Sequence, residues 1–435
     1  MKPYFVLGAL LATASARAGI VTNTLNSGPG SLRQVFLDHL RSDTGPITFA
    51  PELSGQTIML NGELYIGETF DVHPIATSTV VIDATSLPGG ITINGGGSNF
   101  FRAPSGTSLT LRGLTFTGGA GSGTGAVRSL GTLEVSGCTF TNNSGTVVST
   151  EMGTGTITRC TFAGNAGTAV SNPYTGFVVL THCTVSANDI GLSNGYRYSV
   201  MKVVNCIIAG NTTLDVSNSH TFILEGANII QTATPANPGD PIGNPYPSTY
   251  SGPPAITSAP LLAPLDNNGG PAKTMALLPG SPARNAAVGS TSATDQRGFP
   301  IVGIPDIGAF EAAPPPGYDA WALQAFPAAA TPADRAEDHD YDGDGQSNGH
   351  EFIFLTDPVS ASSFFALQTA VQGGSLHLSF PSASGRTYLL QQTSDPAAAW
   401  TNATAQNPIN GDGSSKSFVI PASAARQFFR VVGSL

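Results

Sequence analysis

Three features of the 435-residue sequence predict an all-β chain. Its main body reads as a right-handed parallel β-helix, capped by an N-terminal helix and followed by a small C-terminal β-sandwich. The first feature is a repeat of 22 to 23 residues with alternating apolar and β-branched positions. The second is composition: only 11 % of residues are charged and 52 are glycine, which leaves little helical material. The third is a run of short apolar segments after residue 361, separated by turn signals at 381–385 and 410–413.

From the N-terminus, Lys2 precedes an apolar run over residues 4–11, and Ala16-Arg17-Ala18 has the small-x-small pattern of a signal peptidase site. Residues 1–18 are therefore expected to be a signal peptide and the protein to be exported. No later stretch approaches 18 consecutive apolar residues, so no transmembrane segment is expected. A net charge of −10 without basic clusters argues against nucleic acid as a partner. The segment from Ser31 to Leu40 is amphipathic, and Ser31 with Gln34 forms a capping-box pattern. It is expected to be the lid that a solenoid needs over its first rung. The pairs Ile47/Phe49, Ile58/Leu60, Leu64/Ile66, Val80/Ile82 and Ile91/Ile93 read as irregular first rungs.

The regular repeat starts at Leu109-x-Leu111-x-x-Leu114-x-Phe116 and returns as Leu133-x-Val135-x-x-Cys138-x-Phe140. It continues through Ile157, Cys160 and Phe162, then Leu180, Cys183 and Val185, then Val203, Cys206 and Ile208. Cys138, Cys160, Cys183 and Cys206 are spaced by 22, 23 and 23 residues, and an asparagine follows each by five: Asn143, Asn165, Asn188 and Asn211. Stacked rungs turn such positions into columns. The cysteines are expected to form an inward column of free thiols acting as small hydrophobes. The asparagines are expected at a turn where left-handed backbone is tolerated and amides bond along the stack. A leucine-rich-repeat horseshoe would need a denser leucine frame and a helical segment, and the sequence has neither. Residues 231–260, rich in Pro, Gly, Ser and Tyr, read as an excursion from the solenoid.

Val21-Thr-Asn-Thr24 with Ser27-Gly-Pro-Gly-Ser-Leu-Arg-Gln34 resembles the opening of bacterial exported proteins with a choice-of-anchor Q domain. The far end resembles that family too: Pro260-Leu-Leu-Ala-Pro-Leu265, Asn268-Gly-Gly-Pro271, Ala276-Leu-Leu-Pro-Gly-Ser-Pro-Ala283, Thr294-Asp-Gln-Arg-Gly298 and Pro305-Asp-Ile-Gly-Ala-Phe-Glu311. The chain departs from it at Met275, where histidine is usual, and at Asn285, where aspartate is usual. The resemblance implies a right-handed parallel β-helix, here residues 19–311, secreted or held at the cell surface or outer membrane of a bacterium. It implies no catalytic set.

Residues 312–360 read as a linker built around Asp340-Tyr-Asp342-Gly-Asp344-Gly345-Gln346-Ser-Asn348-Gly-His-Glu351. Carboxylates at loop positions one, three and five, glycine at six and glutamate at twelve match the EF-hand frame. Asp340, Asp342, Asp344, Gln346, Asn348 and Glu351 are the expected ligands of a structural Ca2+, Gln346 through its backbone carbonyl. The stretch resembles the single calcium hands of dockerin-like and thrombospondin-repeat-like linkers. Residues 361–435 read as the small β-sandwich, with strands near 376–380, 388–391, 418–420 and 428–432 and Trp400 in its core.

Counting back nine or ten residues from the repeat cysteines gives Arg128, Glu151, Tyr174 and Arg197, the last flanked by Tyr196 and Tyr198. On stacked rungs these make a ridge of guanidinium, carboxylate and aromatic groups, the side chains that hold sugars. Two readings follow. The first is an exported, non-catalytic, adhesin-like surface protein, expected to be monomeric, that presents a polysaccharide-binding ridge. The second is a polysaccharide lyase or glycosidase on the same scaffold, with Arg128, Glu151, Arg159, Arg197 or Lys202 as candidates. The rungs show no adjacent acid pair, so the first reading is preferred. His182 and His220 are expected at the surface.

Overall fold

The computed structural model describes residues 19–42, 45–67, 79–121, 125–195, 198–237, 247–278, 281–301, 304–312, 317–327, 329–403, 408–421 and 427–434. The signal-peptide reading lies outside them. The chain forms two compact units, residues up to 259 with 264–276 and 285–311, and residues 260–263 and 277–284 with everything from 312 on.

The first unit is a parallel β-solenoid of three sheets. One rung runs through a first-sheet strand such as Thr132–Ser136, a second-sheet strand Thr139–Thr141 and a third-sheet strand Val148–Thr150. The first sheet stacks eight strands from Thr79–Asp83 to Thr249–Ser251. The second stacks eight from Thr57–Met59 to Ile229–Ile230, and the third seven from Leu64–Tyr65 to Leu214–Asn218. Part of the expected excursion is solenoid after all, because Thr249–Ser251 pairs with Thr221–Glu225 and Tyr250 packs against the core.

Side chains alternate across each strand, so every rung sends one set inward. Leu109, Leu133, Val178, Met201 and Phe222 are fully buried, and Phe116, Phe140 and Phe162 stack with centroids 4.8 and 4.7 Å apart. The four cysteines are buried and unpaired. Their sulfurs accept main-chain N–H bonds from the preceding rung, Leu114 to Cys138 at 3.5 Å and Cys138 to Cys160 at 3.4 Å. The Cys206 sulfur likewise accepts the Cys183 N–H at 3.4 Å, and the Cys206 main-chain N–H donates to Asn228 Oδ1 at 2.8 Å, so Asn228 extends the column by one rung.

The asparagine column is a continuous ladder. The amide of Asn143 donates to Asn165 Oδ1 at 2.9 Å, Asn165 to Asn188 at 2.7 Å and Asn188 to Asn211 at 2.9 Å. Asn211 donates to the buried carboxylate of Asp215 at 2.8 Å, which closes the ladder. The left-handed backbone sits one residue earlier than expected, at Asn142, Gly164, Ala187 and Gly210, and leaves each ladder asparagine free to aim its amide along the stack. A second ladder, Asn172 to Asn194 to Asn218 at 3.2 and 2.9 Å, lines the far end of the third sheet. The signal for it was the recurring pair Ser171-Asn172, Ser193-Asn194 and Ser217-Asn218.

Helix α1, Leu32–Ser42, buries Leu32, Phe36 and Leu40 in the solenoid core, as a lid should. Only half of the capping box forms. Ser31 Oγ accepts the Gln34 N–H at 3.2 Å, but the Gln34 amide turns to Asp38 at 2.9 Å. The Ser31 N–H is already taken by the Gly28 carbonyl at 3.1 Å, so the reciprocal bond has no donor to satisfy.

In the second unit, α2, Tyr318–Ala325, packs with Phe326 and Tyr341, and α3, Asn348–Phe354, follows the acidic loop. Two antiparallel sheets come next. One orders Gln368–Gln372, Ser375–Pro381 and Ser415–Pro421; the other is built on Thr387–Thr393. Leu378, Phe380 and Phe418 of one sheet meet Tyr388, Leu390 and Val431 of the other in one core. Trp400 is half-buried outside that core, with the Arg430 guanidinium 4.6 Å from its ring.

Candidate functional site

The three outer faces of the solenoid differ in what covers them. On the second sheet the outward threonines of the middle rungs, Thr139, Thr161 and Thr184, are buried. Thr139 Oγ1 donates to the Lys273 carbonyl and Thr161 Oγ1 to Gln296 Oε1, each at 2.6 Å, and Thr184 Oγ1 accepts the Ala309 N–H at 3.0 Å. The segments 264–276 and 285–311 thus strap across that face. The motif 294–298 is the buckle. Arg297 and Asp295 form a buried ion pair at 2.6 Å, and Arg297 lies 3.8 Å from the Phe310 ring centroid. His182, expected at the surface, is buried beneath the same strap with Nε2 2.6 Å from Ser290 Oγ, and that burial lowers its pKa.

The third sheet has a different outer face. Its inward positions Val127, Val148, Val170, Leu192 and Val216 leave one outward column in register: Tyr65, Arg102, Arg128, Ser149, Ser171, Ser193 and Ser217. Arg128 sits in a strand opposite Ser149, and Glu151 lies in the bend two residues further on. The long arginine side chain bridges that offset. Its Nε and Nη2 donate to the two Glu151 oxygens at 2.8 Å each, a bidentate pair that raises the Arg128 pKa further. One rung below, the Arg102 guanidinium lies 5.2 Å from the Tyr65 ring centroid.

At the bend from the third sheet to the first, Tyr174 is 50 % exposed and Tyr198 is 63 % exposed. Tyr198 has left-handed backbone and rests 6.0 Å from the His220 ring. Phe177, at the start of the next first-sheet strand, adds a further exposed ring that sequence spacing did not flag. Tyr196 and Arg197 lie outside the described residues. Arg128, Glu151, Tyr174 and Tyr198 therefore share the third sheet and its exit bend.

The remaining candidates for catalysis do not join them. Arg159, at the bend from first to second sheet, donates to Thr294 Oγ1 at 2.6 Å beneath the strap. Lys202 is on the first sheet, ion-paired to Glu225 at 2.7 Å. Arg128, Arg159 and Lys202 are thus each engaged, on different parts of the rung.

The acidic loop gathers oxygen atoms. Asp340, Asp342 and Asp344 each offer a carboxylate oxygen, all within 4.8 Å of one another. Backbone N–H groups hold them in place, Gly343 and Gly345 on Asp340 at 2.8 and 2.9 Å, Asp344 on Asp342 at 3.1 Å and Gln346 on Asp344 at 2.7 Å. Glu351 is fully buried with both oxygens unpartnered, and Asp342 Oδ2 and Asp344 Oδ2 are likewise orphaned. Burial first, then the charges of Asp342, Asp344 and Asp340, raise the Glu351 pKa to about 7. Orphaned buried carboxylate oxygens fit a hard cation with several oxygen ligands. The side chains of Gln346 and Asn348 serve the scaffold. Gln346 bonds both ways with the Phe365 main chain at 3.0 and 3.1 Å, and Asn348 donates to the carbonyls of Asp334 and Ala336 at 2.8 and 2.9 Å.

Among the described residues no helix is long and apolar enough to cross a membrane. No curated protein matches the chain. Residues 84–233, about a third of the chain, match the family model of the right-handed beta helix region, a fold shared by pectate lyase-like enzymes and by non-catalytic surface proteins.

Proposed function

We propose that this is an exported surface protein whose solenoid binds glycan along the third sheet and its exit bend, without cleaving it. The observation that carries this reading is the exposure of three aromatic rings at the exit bend, on rungs that also carry polar side chains. Tyr174, Phe177 and Tyr198 stand exposed at and just past the exit bend, in rungs that follow the Arg128–Glu151 pair, with Ser193 and Ser217 part-exposed on the third sheet, while the chain's own strap occupies the second sheet. Aromatic rings cover the apolar faces of a pyranose, and bidentate polar groups fix its hydroxyls. The lyase or glycosidase reading asks for an acid and base converging on one bond, and Arg128, Arg159 and Lys202 are dispersed.

Asp340, Asp342, Asp344 and Glu351 would hold a calcium ion in the second unit, with the Gln346 carbonyl as a further ligand and Asn348 bracing the loop. The ion would supply charge neutralisation for carboxylates that otherwise repel. Export by a signal peptide and anchoring of the choice-of-anchor type belong to the same reading, on the sequence resemblance.

The experiment is incubation of the purified chain with a panel of neutral and acidic polysaccharides in calcium, scoring retention and released products together. Retention without unsaturated ends or new reducing ends supports the proposal. Product release from any member assigns the chain to the enzymes instead.

A further inference from the structure

The strand Gln368–Gln372 is an edge of its antiparallel sheet, hydrogen-bonded to Ser375–Pro381 on one side and, among the described residues, to no strand on the other. All five of its residues are exposed, so neither face of the strand is covered. Val371 is 70 % exposed, the highest value for a large hydrophobic among the described residues. A free edge is a template for another strand, and proteins that stay apart blunt it with charge, proline or a bulge. Gln368-Thr-Ala-Val-Gln372 has none of these. The two-residue turn Gly373-Gly374 that leads to Ser375 has positive φ at both positions, which keeps the hairpin regular and its outer edge straight.

The occupant follows from the sequence of the strand. Read antiparallel against itself about Ala370, it places Gln368 of one copy opposite Gln372 of the other, Thr369 opposite Val371, and Ala370 opposite Ala370. Glutamines pair with glutamines, Val371 is covered by the Thr369 methyl, and no charges are opposed. This holds whichever alternate residues point their N–H and C=O groups outward, because the two-fold axis passes through Ala370. We propose that the chain self-associates through this edge, as an isologous two-fold pair that joins two three-stranded sheets into one of six. A pair of five-residue strands covers far less than the roughly 1,200 Å² of a stable interface. The association is therefore concentration-dependent, and it strengthens where many copies are held close together on one surface.

The register gives the test. Across the two-fold axis the Ala370 Cα atoms would lie about 4.5–5.5 Å apart, within disulfide reach. The two Gln372 Cα atoms would be separated by four residues of strand, about 14 Å, beyond it. The full chain is prepared as Ala370→Cys and as Gln372→Cys, oxidised mildly and run on a non-reducing gel. The four native thiols are buried and stay silent. Covalent dimer from Ala370→Cys but not from Gln372→Cys is expected. In sedimentation velocity the unmodified chain should shift towards dimer with concentration, and Val371→Lys should remove that shift. Equal cross-linking of the two cysteine variants, or an unmodified chain that stays monomeric at the highest attainable concentration, overturns the proposal.

Discussion

Arg128 and Glu151, in adjoining rungs and 23 residues apart, are joined by two hydrogen bonds of 2.8 Å although the strand register sets Arg128 against Ser149. The Glu151 side chain is nearly inaccessible while the Arg128 side chain keeps about a fifth of its surface in solvent. Removing the carboxylate leaves a largely buried cation without its partner. Glu151→Gln is expected to cost about 1–2 kcal/mol, read as a lower urea midpoint at unchanged m-value. Arg128→Lys, which cannot bridge in the same bidentate way, should fall between that variant and the parent.

Asn165 is bonded on both sides of the ladder. Its Oδ1 accepts both the N–H and the amide of Asn143, and its amide donates to Asn188 and to the Phe140 carbonyl. Asn165→Ala strands several buried groups at once and is expected to cost about 2–4 kcal/mol. Asn142, which only supplies a left-handed bend, should tolerate glycine with little change. Chemical unfolding of the two variants separates ladder from bend.

The period of 22 to 23 residues, the cysteine column and the first asparagine ladder were all legible, because each rests on a residue recurring at a fixed spacing and on the alternation of a strand. The strap was not. Thr139 meets Gln296 at 2.8 Å across 157 residues, and no local pattern reports which of three faces a returning segment will cover. The Arg128–Glu151 pair was half legible. Spacing put both residues near one bend, but side-chain reach, not register, brings them together. In the acidic loop the carboxylate frame could be read directly. The structural use of the Gln346 and Asn348 side chains depends on Phe365, Asp334 and Ala336, which the loop motif does not contain.

Burial pushes the thiols of Cys160, Cys183 and Cys206 well above their ordinary pKa. The thiolate is the reactive form, so the folded chain should resist alkylation at pH 8 and take up four equivalents of reagent once unfolded. Mass spectrometry after a timed iodoacetamide pulse reads this. Rapid labelling in native buffer would mean that the rungs open.

Without a cation, Glu351 binds its proton more tightly in the folded chain, with a pKa near 7, than in the unfolded chain, near 4.5. The cation-free protein should therefore be stabler at pH 5 and lose stability as the pH rises towards 7. Calcium should abolish that loss, raising the melting temperature of the second unit more at pH 7.5 than at pH 5. A melting curve that calcium leaves unchanged at both pH values would count against the loop as a cation site.

The glycan face is tested most directly by comparing polysaccharide retention of the parent chain with that of Tyr174→Ala/Tyr198→Ala and of Lys202→Ala. The rings are exposed, so the double variant should fold normally, with unchanged circular dichroism and melting temperature. The expected result is at least a tenfold loss of affinity in the double variant, about 1.4 kcal/mol or more, with Lys202→Ala matching the parent. Equal retention by all three proteins, or a loss confined to Lys202→Ala, would contradict the placement of the binding face on the third sheet and its exit bend.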